Sequence, residues 1–133
     1  AYHHTLPSPL VFGLHEALRE VLNEGLEARW ARHAEAGAYL QAAMAERNME
    51  LLADPAHQLP QLTAVLVPEG IDGAGVQKQM LREHGIEIGG GLPGAPAMWR
   101  FGLMGYNANV ATADKVLAAF DAVMADAPTL AAA

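Results

Sequence analysis

A chain of 133 residues and 14.1 kDa is long enough for one domain with its own core and short for two. Its formal net charge of −7 and pI near 5.2 set it against phosphate backbones and anionic lipid, and no cluster of Lys or Arg forms a basic stripe. Nucleic acid and membrane are therefore not expected partners, and no apolar run approaches the ~20 residues that span a bilayer. With no cysteine there is neither a disulfide framework nor a thiolate metal site, which fits a reducing compartment.

Hydrophobic residues make up 52% of the chain and charged ones only 17%, which leaves two readings open. Either apolar surface meets another protein part, or alanine inflates the count in an ordinary helical protein. The first residues carry neither an initiator methionine nor the charged and apolar blocks of a signal peptide, and read as a cut within a longer protein.

Ser8 and Pro9 predict a helix start, a capping hydroxyl followed by proline at the first helical position. Leu10, Leu14, Leu18, Val21 and Leu22 follow at helical spacing, and Gly25 reads as the stop. A second helix is expected over 27–47, its apolar stripe running through Trp30, Ala34, Gly37, Leu40 and Met44, with Asn48 as its cap. A short apolar stretch over 49–52 and a proline-marked loop lead to the clearest strand, 62–67, ended by Pro68.

Asp72 caps a third helix carrying Val76, Met80 and Leu81, which stops at Gly85. A short strand is expected over 86–88, a glycine-rich loop over 89–96, a strand over 98–103, and a last helix over 110–125 presenting Val116, Leu117, Phe120 and Val123. The tail 128–133 is expected to fray. This order predicts an α+β domain, a small mainly antiparallel sheet with helices packed on one face and the other face free.

In the 98–103 strand, Trp99, Phe101 and Leu103 point one way and Met98, Arg100 and Gly102 the other. The aromatic side belongs against the helices, so Arg100 projects from the free face beside a glycine that leaves room for a small anion. A guanidinium pairs with a carboxylate through two parallel hydrogen bonds. The residues alone also allow an arginine on a solvated sheet face or in a structural ion pair. Gly89, Gly90 and Gly91 permit either close backbone approach to a ligand or a mobile turn, and lack the lysine and hydroxyl that would follow in a phosphate-binding loop.

Other chemistry finds less support. His3 and His4 are adjacent on an extended segment and point in opposite directions, so no metal is expected. No Ser or Thr sits in a nucleophile-elbow motif. Lys78 and Lys115 are each flanked by helix-forming polar residues and read as solvated helix positions rather than Schiff-base amines.

Several segments together resemble a known family. Ala1-Tyr2-His3-His4-Thr5 before a proline and a long helix, Gly25-Leu-Glu with Trp30 and His33, Ile86-Glu-Ile-Gly-Gly90, and Trp99-Arg100-Phe-Gly-Leu-Met-Gly105 occur in the right order. They are similar to the C-terminal part of alanine–glyoxylate and serine–glyoxylate aminotransferases, class V members of the fold-type I pyridoxal-phosphate enzymes. The resemblance covers essentially the whole chain. The loop 92–98 departs from the pattern, being shorter and lacking a Gly-Lys pair before the strand.

The resemblance implies a small C-terminal domain over 9–127, preceded by an interdomain segment 1–8. It implies that Arg100 binds the substrate α-carboxylate, and that Tyr2 and Thr5 hydrogen-bond the phosphate of the neighbouring subunit's pyridoxal 5′-phosphate across a dimer interface. The Schiff-base lysine, the aspartate facing the pyridinium and most of the phosphate site would lie in an N-terminal large domain. No catalytic residue is then expected in this chain, which would be inactive alone. The terminal Ala-Ala-Ala is unlike a peroxisomal address, so a cytoplasmic location is expected. A free-standing small-molecule-binding or dimerisation module descended from that domain is the alternative.

Overall fold

The computed structural model describes residues 4–130, which contain four α-helices and one two-stranded sheet. The chain divides into two compact units, Ala1–Ala31 and Arg32–Ala133.

In the first unit, α1 spans Ser8–Glu24. Its cap position is Pro7, not Ser8; Ser8 already has helical conformation, and its hydroxyl reaches only the Leu6 carbonyl at 3.5 Å. The leucines are aligned as expected, yet no α1 residue is buried. Arg19 ties together Glu16 and Glu20 on the exposed side. Gly25 takes φ +85°, a conformation that costs glycine little, and interrupts the helix while its amide still reaches Val21. An Arg29–Glu24 pair spans the break at 2.8 Å.

Helix α2, Leu26–Glu46, contains the boundary between the units. Its buried face in the second unit is Ala36, Gly37, Leu40, Ala43 and Met44. The expected stripe held for Gly37, Leu40 and Met44, whereas Trp30 is 62% exposed and Ala34 is also exposed. Asn48 closes this helix with φ +57°, which lets the Met49 amide return to the Met44 carbonyl at 3.0 Å. Small side chains on this face allow close approach: a Cβ on Gly37 would lie 2.5 Å from the Pro60 Cα and carbonyl oxygen.

The sheet pairs β1, Leu62–Leu66, antiparallel with β2, Met98–Gly102. Register places Thr63 opposite Phe101 and Val65 opposite Trp99, all buried, while Ala64 lies opposite Arg100. The apolar stretch after α2 adds a single bridge from Leu51 to Val65 on the outer edge of β1. On the outer edge of β2 the expected strand at 86–88 does not form. Gly85 has just ended a helix in the left-handed conformation, and the chain comes into register with β2 only at Gly89, which bridges Arg100.

Helix α3, Gly73–His84, begins where the Asp72 carboxylate accepts the Gly75 amide at 3.0 Å. Helix α4, Val110–Ala125, begins where the Asn109 side chain accepts the Thr112 amide at 2.8 Å. Both satisfy amide groups that the first helical turn leaves without partners. Their buried residues, Val76 and Met80 from α3 and Ala113, Leu117, Ala119, Phe120 and Val123 from α4, join those of α2 and the sheet in one core. In the tail, the Pro128 carbonyl accepts the Asp72 amide at 2.8 Å and the Leu130 amide donates to the Gly70 carbonyl at 2.9 Å. Residues 131–133 lie outside the described residues.

Polar links fasten α2 to α4. Arg47 grips Asp121 through two bonds of 2.6 and 2.7 Å, and Tyr39 donates to Asp114 at 2.5 Å. The Arg47 hydrogen bond holds the Asp121 carboxyl below its ordinary value, and the Asp114 carboxylate raises the Tyr39 phenol. A depressed carboxyl stabilises the fold above its unfolded pKa of ~3.9 and loses that effect as pH falls through its lower folded value. Because the pair is partly solvated, its contribution is ~0.2–1 kcal/mol. Asp121→Asn is therefore expected to cost that much at neutral pH and to make the decline in stability below pH ~4 shallower, as urea midpoints across pH would show.

The Gly37 contact gives a larger effect. Gly37→Ala is expected to destabilise the protein by ~1–3 kcal/mol despite alanine's better helix propensity, because the obstructing atoms are backbone. Gly13→Ala, with nothing within 4 Å of the new methyl, should instead raise helix stability by up to ~1 kcal/mol. Denaturant midpoints and far-UV signal check both.

Candidate functional site

The site is built on β2. Trp99 and Phe101 meet Phe120 of α4 edge to face, with ring centroids 5.4 and 5.6 Å apart. The Trp99 indole N–H donates to the Gly73 carbonyl at 2.9 Å, so this ring is buried with its polar atom satisfied. Leu103 continues the same buried side. These contacts fix the roll of the strand. Since side chains alternate, Arg100 is directed to the other face, where it is half-buried.

Two backbone bonds join Arg100 to Gly89: its amide donates to the Gly89 carbonyl at 2.8 Å, and the Gly89 amide returns the bond at 3.0 Å. The Arg100 Nε then donates to the Gly90 carbonyl at 2.7 Å. A Cβ on Gly89 would sit 3.3 Å from Nε and 3.4 Å from Nη2, so glycine is what lets the guanidinium lie close over the chain. Among the described residues no carboxylate pairs with Arg100, and its two terminal nitrogens have no hydrogen-bond partner. Of the three readings open from the residues, the structural ion pair is thus not found.

The arrangement can do one thing well. With Nε occupied by a backbone oxygen, the Nη1 and Nη2 groups present a planar pair of donors, matched to the two oxygens of a carboxylate. Gly102, next on the same face, carries no side chain, and the Met104 methyl lies 3.4 Å from where its Cβ would be. The open side of Gly102 is therefore bordered by a soft apolar group.

Beyond β2, the loop through the short 3-10 turn Gly105–Asn107 is held from α2. Arg32 donates to the carbonyls of Gly105 and Ala108 at 2.8 and 2.6 Å, and His33 Nε2 accepts the Gly105 amide at 3.1 Å. Tyr106 at the tip is 94% exposed.

The other residues singled out in the sequence fall elsewhere. Thr5 belongs to the first unit, is exposed, and its hydroxyl has no partner among the described residues. Tyr2 and His3 lie outside the described residues. Lys78 and Lys115 are exposed on α3 and α4; Lys115 stands at a cleft of about 310 Å³ lined by Ile86, Ile88, Leu103 and Val116. Among the described residues no group of acidic and histidine side chains is arranged to hold a metal ion, and no helix is long and apolar enough to cross a membrane.

Sequence reasoning missed Gln77, whose side-chain amide donates to the Ile88 carbonyl at 2.8 Å beside Gly90. A glutamine on a polar helix face carries no signal that separates it from a solvated one. It also missed the paired use of Arg32 and His33, whose partners lie more than 70 residues further along the chain.

Gly89→Ala is expected to displace the guanidinium and shift the Arg100 side-chain NMR resonances, while lowering stability by no more than ~1 kcal/mol. Arg100 resonances identical to those of the parent would show that the close approach is dispensable.

No family model matches the sequence. Individual proteins do. The (S)-ureidoglycine–glyoxylate transaminase of Bacillus subtilis is 38% identical over 123 residues, covering 92% of this chain and 30% of the relative. The alanine–glyoxylate aminotransferase of Rattus norvegicus is 38% identical over 128 residues, 95% of this chain and 31% of the relative. Among solved structures, an alanine–glyoxylate aminotransferase from Nostoc sp. superposes with a TM-score of 0.86 at 40% identity, over 93% of this chain and 33% of that one. The chain thus spans about a third of the length of the proteins it matches. Identity at this level along nearly the whole chain, together with a shared α+β fold, places the chain in the class V aminotransferase family, with the fold of its C-terminal domain.

Proposed function

We propose that this chain is the C-terminal domain of a homodimeric, cytoplasmic pyridoxal-phosphate aminotransferase that moves an amino group from alanine or serine to glyoxylate. In this reading Arg100 holds the α-carboxylate of the amino donor and of the keto acid. The observation that carries it is the guanidinium itself, oriented through Nε and left with both terminal nitrogens unpartnered among the described residues. Charge-assisted bidentate bonds fix orientation as well as affinity, so this contact sets how the Cα–H bond is presented to the base that removes its proton.

Pyridoxal phosphate, when bound, supplies the electron sink at Cα. The residues of this chain that would touch it are Thr5 and Tyr2, through the phosphate held by the neighbouring subunit. The exposed Thr5 hydroxyl is a chemically suitable donor to a phosphate oxygen. The lysine and the rest of the cofactor site belong, in this proposal, to an N-terminal large domain. Two observations support that companion: the chain matches about a third of each relative, and α1 keeps Leu10, Phe12, Leu14, Leu18 and Leu22 exposed. A patch of that kind marks a surface made to meet another protein part.

The test is made in the full-length enzyme that the reading requires. Arg100→Met is expected to lower kcat/KM for the amino donor roughly 10- to 100-fold, the worth of a charged bidentate contact, with pyridoxal-phosphate affinity unchanged. Arg100→Lys keeps the charge but loses the fork and should fall between. Loss of cofactor affinity in step with activity would show that Arg100 serves the cofactor instead.

A further inference from the structure

Arg100 is aimed by a single acceptor, the carbonyl of Gly90, and that carbonyl lies in the middle of three consecutive glycines. Glycine has the widest backbone freedom of any residue, so a peptide between glycines has no side chains of its own to set its direction. An acceptor in such a segment can orient a guanidinium only if something outside the segment holds it. The segment 86–91 forms no strand, and Gly89 pairs with β2 as a lone bridge.

The external hold comes from α3. Its Gln77 side chain donates to the Ile88 carbonyl at 2.8 Å. The same amide is packed on Gly90: a Cβ there would meet its oxygen at 3.1 Å and its nitrogen at 3.2 Å. One side chain thus touches the chain on both sides of Gly89, the residue that carries the bridge to β2.

Gln77 is itself well anchored. It follows the fully buried Val76 and precedes the fully buried Met80, in a helix capped by Asp72 at its start and by left-handed Gly85 at its end. A rigid helix therefore dictates the position of a segment that cannot dictate its own.

We propose that Gln77 is a positioning residue for Arg100, holding the Gly89–Gly91 segment so that the Gly90 carbonyl keeps the guanidinium plane fixed with its two terminal nitrogens turned outward. This deepens the reading of Arg100 as a carboxylate binder and rests on it for its functional meaning. The role accounts for Gly89 and Gly90, while Gly91 answers to a separate contact. Gly89 gives the guanidinium room, Gly90 gives the Gln77 amide room, and Gly91 approaches the Pro96 carbonyl at 3.1 Å from where a Cβ would lie.

The experiment uses the 133-residue chain and the Arg100 Nε–Hε resonance, a signature that a general change in stability does not move. Two substitutions remove the donor in different ways: Gln77→Glu keeps the shape, and Gln77→Met removes polarity without adding a charge. Should one fail to fold, judged by its amide spectrum, the other is read. Either folded variant is expected to shift the Nε–Hε signal and to speed its exchange with water about 2- to 10-fold, the worth of one ordinary hydrogen bond. Lys78→Met, on the exposed side of the same helix, should leave the signal in place.

Titration with propionate then reads the functional half. It should shift the Arg100 side-chain signals in the parent, with weaker binding in the Gln77 variants and none at this site in Arg100→Met. An Nε–Hε signal that is the same in a folded Gln77 variant as in the parent overturns the positioning role. A signal that moves in the Gln77 variants but does not respond to propionate in the parent leaves that role standing and overturns the carboxylate reading instead.

Discussion

The edge-to-face contacts of Trp99 and Phe101 with Phe120 are the constraint on which the rest of the second unit depends. Each large aromatic side chain buried here contributes roughly 1.5–3 kcal/mol, and the indole N–H adds a directional bond to Gly73. A strand locked on one side has no freedom to roll. The opposite side then points wherever strand alternation sends it, and for Arg100 that is away from the core. The side from which Arg100 leaves the strand is thus set by packing on the opposite face, and its guanidinium is then aimed by the Gly90 carbonyl.

Around this strand the chain uses glycine where two backbones, or a backbone and a side chain, must nearly touch. Gly37 admits Pro60 against α2, and Gly89 admits the guanidinium. The two uses differ in kind. At Gly37 the neighbour is backbone within a packed core, so the constraint belongs to the fold. At Gly89 the neighbour is a side chain with polar atoms, so the constraint belongs to the site. Gln77 connects them by letting a helix of the core govern a segment without regular structure.

Much of this was legible in the sequence because local chemistry and global packing agree. Asp72 and Gly85 mark the ends of α3 by an amide-accepting carboxylate and a left-handed glycine, and Trp99 and Phe101 are buried on either side of half-buried Arg100 as alternation implies, although Met98 on the Arg100 side is buried too. The features that were not legible share a cause. Ser8 looks like a cap, but Pro7 takes that place, and nothing in the local pattern separates the two. The Ile86-Glu-Ile88 alternation resembles a strand, yet the register after Gly85 brings only Gly89 onto β2. The α2 stripe runs through Trp30 because a large aromatic reads as core, whereas Trp30 is exposed and the smaller Ala36 and Ala43 are buried beside Gly37, Leu40 and Met44. Gln77 was invisible because its role lies in what it touches across space. Arg100 stands out through alternation and resemblance together, and the absence of a counter-charge beside it among the described residues needed coordinates.

Helix α1 has no buried residue in this chain, although it presents a row of leucines. Within its own unit, its helicity rests on the backbone bonds and on ion pairs such as those Arg19 makes with Glu16 and Glu20. For a helix of 17 residues such terms are close to the balance point, since isolated helices become marginal below ~12–15 residues and gain most of their stability from packing. Such a segment sits at the low end of the local unfolding scale, with amides that exchange early and a backbone open to proteases. Whatever surface eventually receives those leucines would therefore complete the ordering of this helix as well as bind it.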